Sequence, residues 1–337
     1  MHVIVINVGY GDAILVEPSD RFRLLLDGGS ALPSEFEGDP YRIRAASYLK
    51  ARGIRQLDAV VISHIHEDHV CGLEAVLDQT EVGRIYVPYP VEPFLAGCGL
   101  TPAAGAARSV PLYTNALNAF RRILLRAREA HIPITVVRAG DTLDLDGAAR
   151  MRVLAPQEEV LSDYMDLVEQ AYRQREDASA VTACLTRLDA LSNRTSLLLR
   201  FELGSHVLLS AADSCPKEWS QVPKFLLENV NVLKLPHHGQ IDSISEQFMA
   251  DMPLAFVITT SASDRRYNSA NPAVYQRLAA LFPPERAPQF LFSDEREYPP
   301  LFLPPRGIPG HHPGNGFRWD HSGIRESIKI QKKENSR

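Results

Sequence analysis

Apolar and polar positions alternate along this chain in short runs broken by Gly, Pro and Asp. Residues 2–8 form an apolar run ended by Gly9, Gly11 and Asp12, and runs 13–17 and 22–26 follow, separated by Pro18-Ser19-Asp20. This spacing predicts a strand-rich, hairpin-linked N-terminus. Residues 41–51 have helical composition and stop at Gly53, and the unbroken run LDAVVI at 57–62 predicts a strand covered on both faces. A short helix over 72–77 and a strand over 84–87 follow.

Residues 88–112 are rich in Pro, Gly and Ala and read as a loop. An amphipathic helix is predicted over 114–130, with Leu117, Phe120, Leu124 and Ala127 on one stripe. Strand character returns at 134–137, 142–145 and 151–154. The stretch 157–190 reads as mostly helical, with Val160, Tyr164, Leu167, Val168 and Ala171 on one face. The second half repeats the rhythm of the first. Strands at 197–203 and 206–211 join at Gly204, and a helix containing Trp219 and Phe225 follows. A strand at 230–235, a helix near 243–250 and a strand at 254–259 lead to Asn271, which caps a helix from Pro272 to Leu281. Two sheets of similar length, each with helices outside, predict an α/β fold of the four-layer αββα sandwich kind.

Composition narrows the class. With 45% hydrophobic and 23% charged residues the chain is ordinary for a globular protein, so disorder, collagen and a disulfide scaffold are excluded. The formal charge of 36 − 41 = −5 supplies no global basic field, so any nucleic-acid contact must be a local patch. Cys71, Cys98, Cys184 and Cys215 form no CxxC pair, which points to a reduced, intracellular compartment. No run reaches the roughly 18 apolar residues of a membrane span, and the N-terminus lacks a basic start. The expectation is a cytoplasmic protein with no membrane partner.

The chemistry concentrates in Ser63-His64-Ile65-His66-Glu67-Asp68-His69, directly after LDAVVI. Imidazole nitrogen and carboxylate oxygen are donors that zinc, manganese and iron accept. A tight loop at a strand's end can aim His64 and His66 at one point, and Asp68 with His69 at its neighbour. Other apolar strands also end in such residues: Asp27 after LLL, Asp213 after HVLLSAA, and His237 and His238 after VLKLP. The tail histidines His311, His312 and His321 lie among Pro and Gly and read as exposed, not as ligands. For Cys71 and Cys215 packing is the default.

These residues resemble the metallo-β-lactamase superfamily. HIHEDH matches its HxHxDH signature, and Asp27, Asp213 and His237/His238 match its first aspartate, bridging aspartate and last histidine. The resemblance is nearest to the ComEC-type branch, the soluble domain attached to competence DNA-uptake channels and its free-standing relatives. VINVGYGDAILVE, GDTLDL, LKLPHHG and the region ending NPAVYQRL carry it. It implies a metallo-β-lactamase-type αββα domain over 1–298, with insertions at about 89–131 and 156–190 and an irregular tail over 299–337. Three positions depart from the branch. Tyr10 stands where Gln is usual, Ser192-Asn193-Arg194-Thr195-Ser196 stands where the superfamily has its third isolated histidine, and Asn271-Pro272 replaces His-Pro.

The activity implied is hydrolysis assisted by one or two divalent ions, zinc or manganese first, which activate water and polarise the scissile phosphoryl or acyl oxygen. His64, His66, Asp68, His69, Asp213 and His237 are the expected ligands. Asp68 also orients the nucleophile, and His238 is the expected acid for the leaving group. Asp27 and Asn193 support the ligands from behind. Arg265, Arg266, Tyr267 and Asn271 are the expected substrate contacts, with Arg121, Arg122, Arg126 and Arg128 either touching phosphate or forming the solvated back of a helix.

The expected substrate is nucleic acid, cleaved by a nuclease or phosphodiesterase. The alternatives are a small phosphodiester, such as a choline-phosphate ester or cyclic nucleotide, and a binding module that has lost turnover. A protein partner is expected at the insertions. A di-iron redox role ranks last, since no flavin-binding domain follows.

Overall fold

The computed structural model describes residues 2–147, 149–261, 265–294, 316–320 and 323–327. The chain first lays down β1 (His2–Ile6), β2 (Ile14–Ser19), β3 (Phe22–Leu26), α1 (Ala45–Ala51), β4 (Gln56–Leu57) and β5 (Ala59–Val61). Next come α2 (Glu67–Val70), α3 (Leu73–Gln79), β6 (Glu81–Val82), β7 (Ile85–Val87), α4 (Glu92–Ala96), α5 (Ser109–Glu129) and β8 (Ile134–Val136). The second half adds β9 (Thr142–Asp144), β10 (Arg150–Ala155), α6 (Glu158–Arg173), α7 (Ala178–Ser192), β11 (Leu198–Leu203) and β12 (His206–Ser210). It continues with β13 (Val232–Lys234), α8 (Glu246–Met249), β14 (Phe256–Thr259), α9 (Pro272–Ala280), β15 (Gln289–Phe292), β16 (Gly316–Asp320) and β17 (Gly323–Ser327).

Two sheets result, in the orders β17-β16-β1-β2-β3-β5-β7-β8 and β15-β14-β13-β12-β11-β10-β9, with β4 and β6 as a separate pair. Residue parity assigns each side chain to a layer, because successive strand residues point to opposite faces. On β1, Val3 and Val5 face the other sheet and pack with Met151, Val153, Leu199 and Phe201. Ile4 and Ile6 point outward to a layer built with Leu117, Phe120, Leu124, Tyr164 and Leu185 of the helices. On the second sheet, Leu198, Leu209 and Leu233 point outward to Met249, Val274 and Leu278. Helices, sheet, sheet, helices: this is the four-layer arrangement that the apolar rhythm predicts.

The differences from the predicted elements have local causes. The stretch 157–190 breaks into α6 and α7 where Asp177 caps α7 by accepting from the Ser179 and Ala180 amides. The predicted loop over 88–112 holds α4, anchored by buried Phe94 against Phe120 at 4.9 Å between ring centroids. α5 starts at Ser109, earlier than predicted, because Pro111 falls in its first turn, where no amide proton is needed. The helix expected around Trp219 and Phe225 is two 3₁₀ turns, Pro216–Trp219 and Lys224–Leu226, each opened by or following a proline.

The expectation of an irregular tail fails at β16 and β17. β16 pairs antiparallel with β1, and β17 with β16, covering backbone groups that β1 would otherwise present at a sheet edge. The rest of the expected tail, with His311, His312 and His321, lies outside the described residues.

β3, β5, β7 and β8 run parallel, as do β12, β13, β14 and β15. Parallel neighbours put their C-terminal ends on one edge, where α/β folds gather chemistry. Asp27, His64, Asp213, His238 and Thr260 all lie just past such ends.

Candidate metal centre

The site is assembled from strand ends that tie to one another. Asp27, in a left-handed conformation at φ 57°, accepts from the Ser63 amide at 2.8 Å and the Ser63 hydroxyl at 2.6 Å. The same carboxylate meets His69 Nδ1 at 2.9 Å, so one buried aspartate fixes both ends of the histidine-rich loop. Two glycines let backbones pass. A Cβ on Gly72 would lie 2.0 Å from the Gly28 carbonyl oxygen, and one on Gly11 would lie 2.2 Å from that of Asp68. Gly11 also sits at φ +133°, so a side chain there is disfavoured twice.

Two groups of donors converge. His64, His66 and Asp213 form one, and Asp68, His69 and His238 form the other, each with its ligand atoms within 4.8 Å of one another. Asp213 stands between them. Its Oδ2 is 3.9 Å from His64 Nε2, and its Oδ1 is 3.4 Å from both His69 Nε2 and His238 Nε2. His238 Nε2 is also 3.1 Å from Asp68 Oδ2.

Each histidine is oriented by the nitrogen it turns away. The Ser63 hydroxyl gives its proton to Asp27 and therefore accepts from His64 Nδ1, at 3.0 Å. His238 Nδ1 donates to the Thr260 carbonyl at 2.6 Å, and His69 Nδ1 to Asp27. His66 Nε2 lies 3.3 Å from Asp189 on α7, leaving Nδ1 toward His64 Nε2 at 3.0 Å. Such outer partners fix the tautomer and leave the inner nitrogen as a lone pair.

The residues fit a divalent ion. Asp213 Oδ1 is buried with no hydrogen-bond donor, although imidazole nitrogens and another carboxylate crowd it. Lone pairs facing lone pairs in a buried pocket call for a cation, and this N/O donor set suits zinc, manganese or iron.

The electrostatics agree. Burial would raise the Asp68 carboxyl, but His69 and His238 outweigh it and hold it at about 2. Asp213 likewise falls well below the carboxylate range: His238 and His69 overcome its burial. His64 is pushed well down by burial and by His69 and His66, which keeps its imidazole neutral. Burial alone would lower His69, yet Asp213 and Asp68 pull it well above the usual value, a measure of how strongly the cluster attracts positive charge.

A fully buried ion pair braces the floor of the site. Lys234 Nζ lies 2.5 Å from Asp12 Oδ2 and donates to the Ala212 carbonyl at 2.9 Å. Asp12 in turn accepts from the Thr260 hydroxyl.

The structure redistributes several expected roles. The expectation placed His237 among the ligands and His238 in proton transfer; the structure brings His238 into the second donor group and sets His237 beside Cys215 and Asp242. His238 is fully buried within the second donor group, whereas His237 turns aside at φ 47°, with Nδ1 3.1 Å from Asp242 and Nε2 3.2 Å from Asn193 Nδ2. Arg265 and Arg266 do not line the cavity over the site, and Arg266 is paired with Glu35. Tyr267 does line it, half exposed, with its ring 5.0 Å from that of Tyr10. Asn271 accepts from the Ala273 amide at 3.0 Å as a helix cap and is not among the residues of the cavity wall. On α5, Arg122 and Arg126 pair with Glu74 and Asp78 of α3, and Arg121 donates to the Gly97 carbonyl, as the solvated-back reading has it.

Sequence reasoning missed Asp189, Asp242, Thr260 and Arg108. Only Asp242 and Thr260 carried a signal, being polar residues a few positions beyond predicted ligands or at a strand end. Asp189 and Arg108 lie in helical surroundings with no local mark. The cavity itself is about 520 Å³, with Tyr10, Asp68, Arg108, Tyr113, His237 and Tyr267 in its wall.

The paired donor groups at the open edge of an αββα sandwich place the chain in a class. Residues 6–122 match the metallo-beta-lactamase superfamily. That match takes in about a third of the chain; with the ComE relative it supports the metallo-beta-lactamase superfamily, its ComEC-type branch and a metal-dependent hydrolase in general. The chain is 25% identical over 287 residues to ComE operon protein 3 of Bacillus subtilis (strain 168), an alignment that takes in 81% of this chain and 30% of that protein. The chain therefore spans about a third of that relative's length or less.

Among solved structures it is similar to the metallo-beta-lactamase fold protein YhfI from Bacillus subtilis. That match has 14% identity and a TM-score of 0.47, covering 87% of this chain and 96% of the other. It is also similar to Zn(2+)-bound PqqB from Methylobacterium extorquens, with 11% identity and a TM-score of 0.42, over 87% of this chain and 97% of that one. No helix among the described residues is long and apolar enough to cross a membrane.

Proposed function

We propose that the protein hydrolyses phosphodiesters, as a nuclease or phosphodiesterase. One or two divalent ions, zinc or manganese, would be held by His64, His66 and Asp213 on one side and Asp68, His69 and His238 on the other. The observation that carries this reading is Asp213, whose two oxygens face two separate histidine groups beneath a single cavity. The ComEC-type resemblance, a branch associated with DNA uptake, favours a nucleic-acid phosphodiester.

Divalent ions bound there would activate water and polarise the scissile phosphoryl oxygen. The chain's own residues supply the rest. Asp68 accepts from the attacking water and aligns it. Tyr10, packed on His238 with ring centroids 4.4 Å apart, is kept protonated by burial and by Asp68 and Asp213, so its hydroxyl is a donor for a substrate oxygen. His237, in the cavity wall and held by Asp242, would protonate the leaving group once its Nε2 turns from Asn193 and carries a proton.

The test is a matrix of zinc, manganese and magnesium against single-stranded DNA, duplex DNA, RNA and bis(p-nitrophenyl) phosphate. Phosphodiester cleavage that chelation abolishes and one of these metals restores is the expected result. Cleavage of carboxylic esters or lactams with no phosphodiester turned over would overturn it. A small phosphodiester is the second reading, favoured by the modest cavity and by its acidic wall of Glu35, Glu67, Asp68, Asp189 and Asp213. Salt separates the two, since affinity for a long polyanion falls steeply with ionic strength and that for a small diester does not. Purified protein that binds no transition metal would favour a module without turnover.

A further inference from the structure

The inserted helices do more than pack on the outside of the first sheet. α5 with its N-cap residue Arg108, and α7, supply Arg108, Ser109, Leu112, Tyr113 and Asp189 to the cavity wall over the donor groups. Among the described residues Arg108 is the one Arg or Lys in that wall. It is exposed and has no acidic partner among the described residues, whereas Arg122, Arg126 and Arg266 are each held by a carboxylate. Tyr267, also in the wall, is 56% exposed, which leaves its side chain open to stacking.

A volume of about 520 Å³ lies within the range that encloses a small organic ligand. The wall carries Glu35, Glu67, Asp68, Asp189 and Asp213, of which Glu67 is pushed up to about 7 by burial and Glu35 is paired with Arg266; the others disfavour a polyanion laid along it. Two of them, Asp68 and Asp213, are the proposed ligands, whose charge bound ions would offset.

Resting on the phosphodiesterase reading, we propose that the inserted helices turn the site into a pocket for one nucleotide unit of a single strand. Arg108 holds the phosphate next to the scissile one, and Tyr267 carries the base. The chemistry recognised is a nucleoside bearing two phosphates, whether free or within a single-stranded oligonucleotide. A duplex, whose bases are already stacked and paired, offers neither face to Tyr267.

The test uses the full, zinc-loaded chain and thymidine 3′,5′-bisphosphate as a probe that needs no turnover. Arg108→Ala is expected to weaken the bisphosphate tenfold or more, the loss of one charge-assisted contact, with partial recovery in Arg108→Lys. Thymidine 5′-monophosphate should change less than threefold. Tyr267→Ala should cost the bisphosphate at least fivefold, and Arg126→Ala should change nothing. On oligonucleotides, Arg108→Ala should raise KM tenfold with kcat within threefold, and blunt duplex should be cut at least a hundredfold more slowly than single strand.

Failure of the wild type to bind the bisphosphate, equal binding by Arg108→Ala, or equal rates on duplex would overturn the pocket. Arg108-dependent binding without any cleavage would leave the pocket standing and remove the hydrolase reading. Cleavage with no Arg108 effect on KM would do the reverse.

Discussion

Lys234→Met is the sharpest perturbation the site allows, because the lysine is wholly buried and its charge has one acidic partner among the described residues. With Nζ 2.5 Å from Asp12 Oδ2, the attraction at an effective dielectric of about 20 is about 7 kcal/mol. Withdrawing each ion from water costs several kcal/mol, so the intact pair roughly breaks even. Removing only the lysine is different. Asp12 would keep its charge in the core with the Thr260 hydroxyl as its donor and the His238 imidazole 3.6 Å away, which costs about 3–5 kcal/mol.

The Ala212 carbonyl, on a residue at φ 43° just before Asp213, would lose its buried donor as well. Guanidinium unfolding in the presence of a chelator, so that metal binding adds nothing, measures the loss. The double variant Asp12→Asn/Lys234→Met has no buried charge left and should recover at least half of it. A single-variant loss below about 1 kcal/mol, or strictly additive losses in the double-mutant cycle, would refute the reasoning.

Three further outcomes follow from the same geometry. Asp213→Ala and His66→Ala should each reduce hydrolysis to background while circular dichroism stays native; full activity in either purified variant would dismiss the site. Asp27→Asn, which keeps the side chain's shape but loses the charge that holds His69 and Ser63, should weaken metal affinity about 10–100-fold by calorimetry. Gly11→Ala, at φ +133° with its new methyl driven against the Asp68 carbonyl, should destabilise the fold by more than 1 kcal/mol in the same unfolding assay.

Much of the site is legible in the sequence. HIHEDH directly after an apolar run, with Asp27, Asp213 and the His237-His238 pair at later strand ends, marked the donors, because strand ends on one sheet edge meet by topology. The layers were legible too, from two strand sets of similar length with amphipathic helices between their strands. Arg266 and Asn271 misled because a basic or amide side chain near a strand end looks the same whether it meets substrate or a neighbouring group. In the fold Glu35 takes the first and the Ala273 amide takes the second.

What the sequence determines by itself is chemistry and periodicity: which donors exist, and which face of each strand is apolar. Both depend on residue identity and on spacings of a few positions. Only the tertiary structure decides that His238 and not its neighbour turns inward, that Asp189 reaches His66, and that Arg108 roofs the cavity. Those outcomes depend on backbone angles imposed at His237 and His238 and on how inserted helices dock, and both are set by packing between segments distant along the chain.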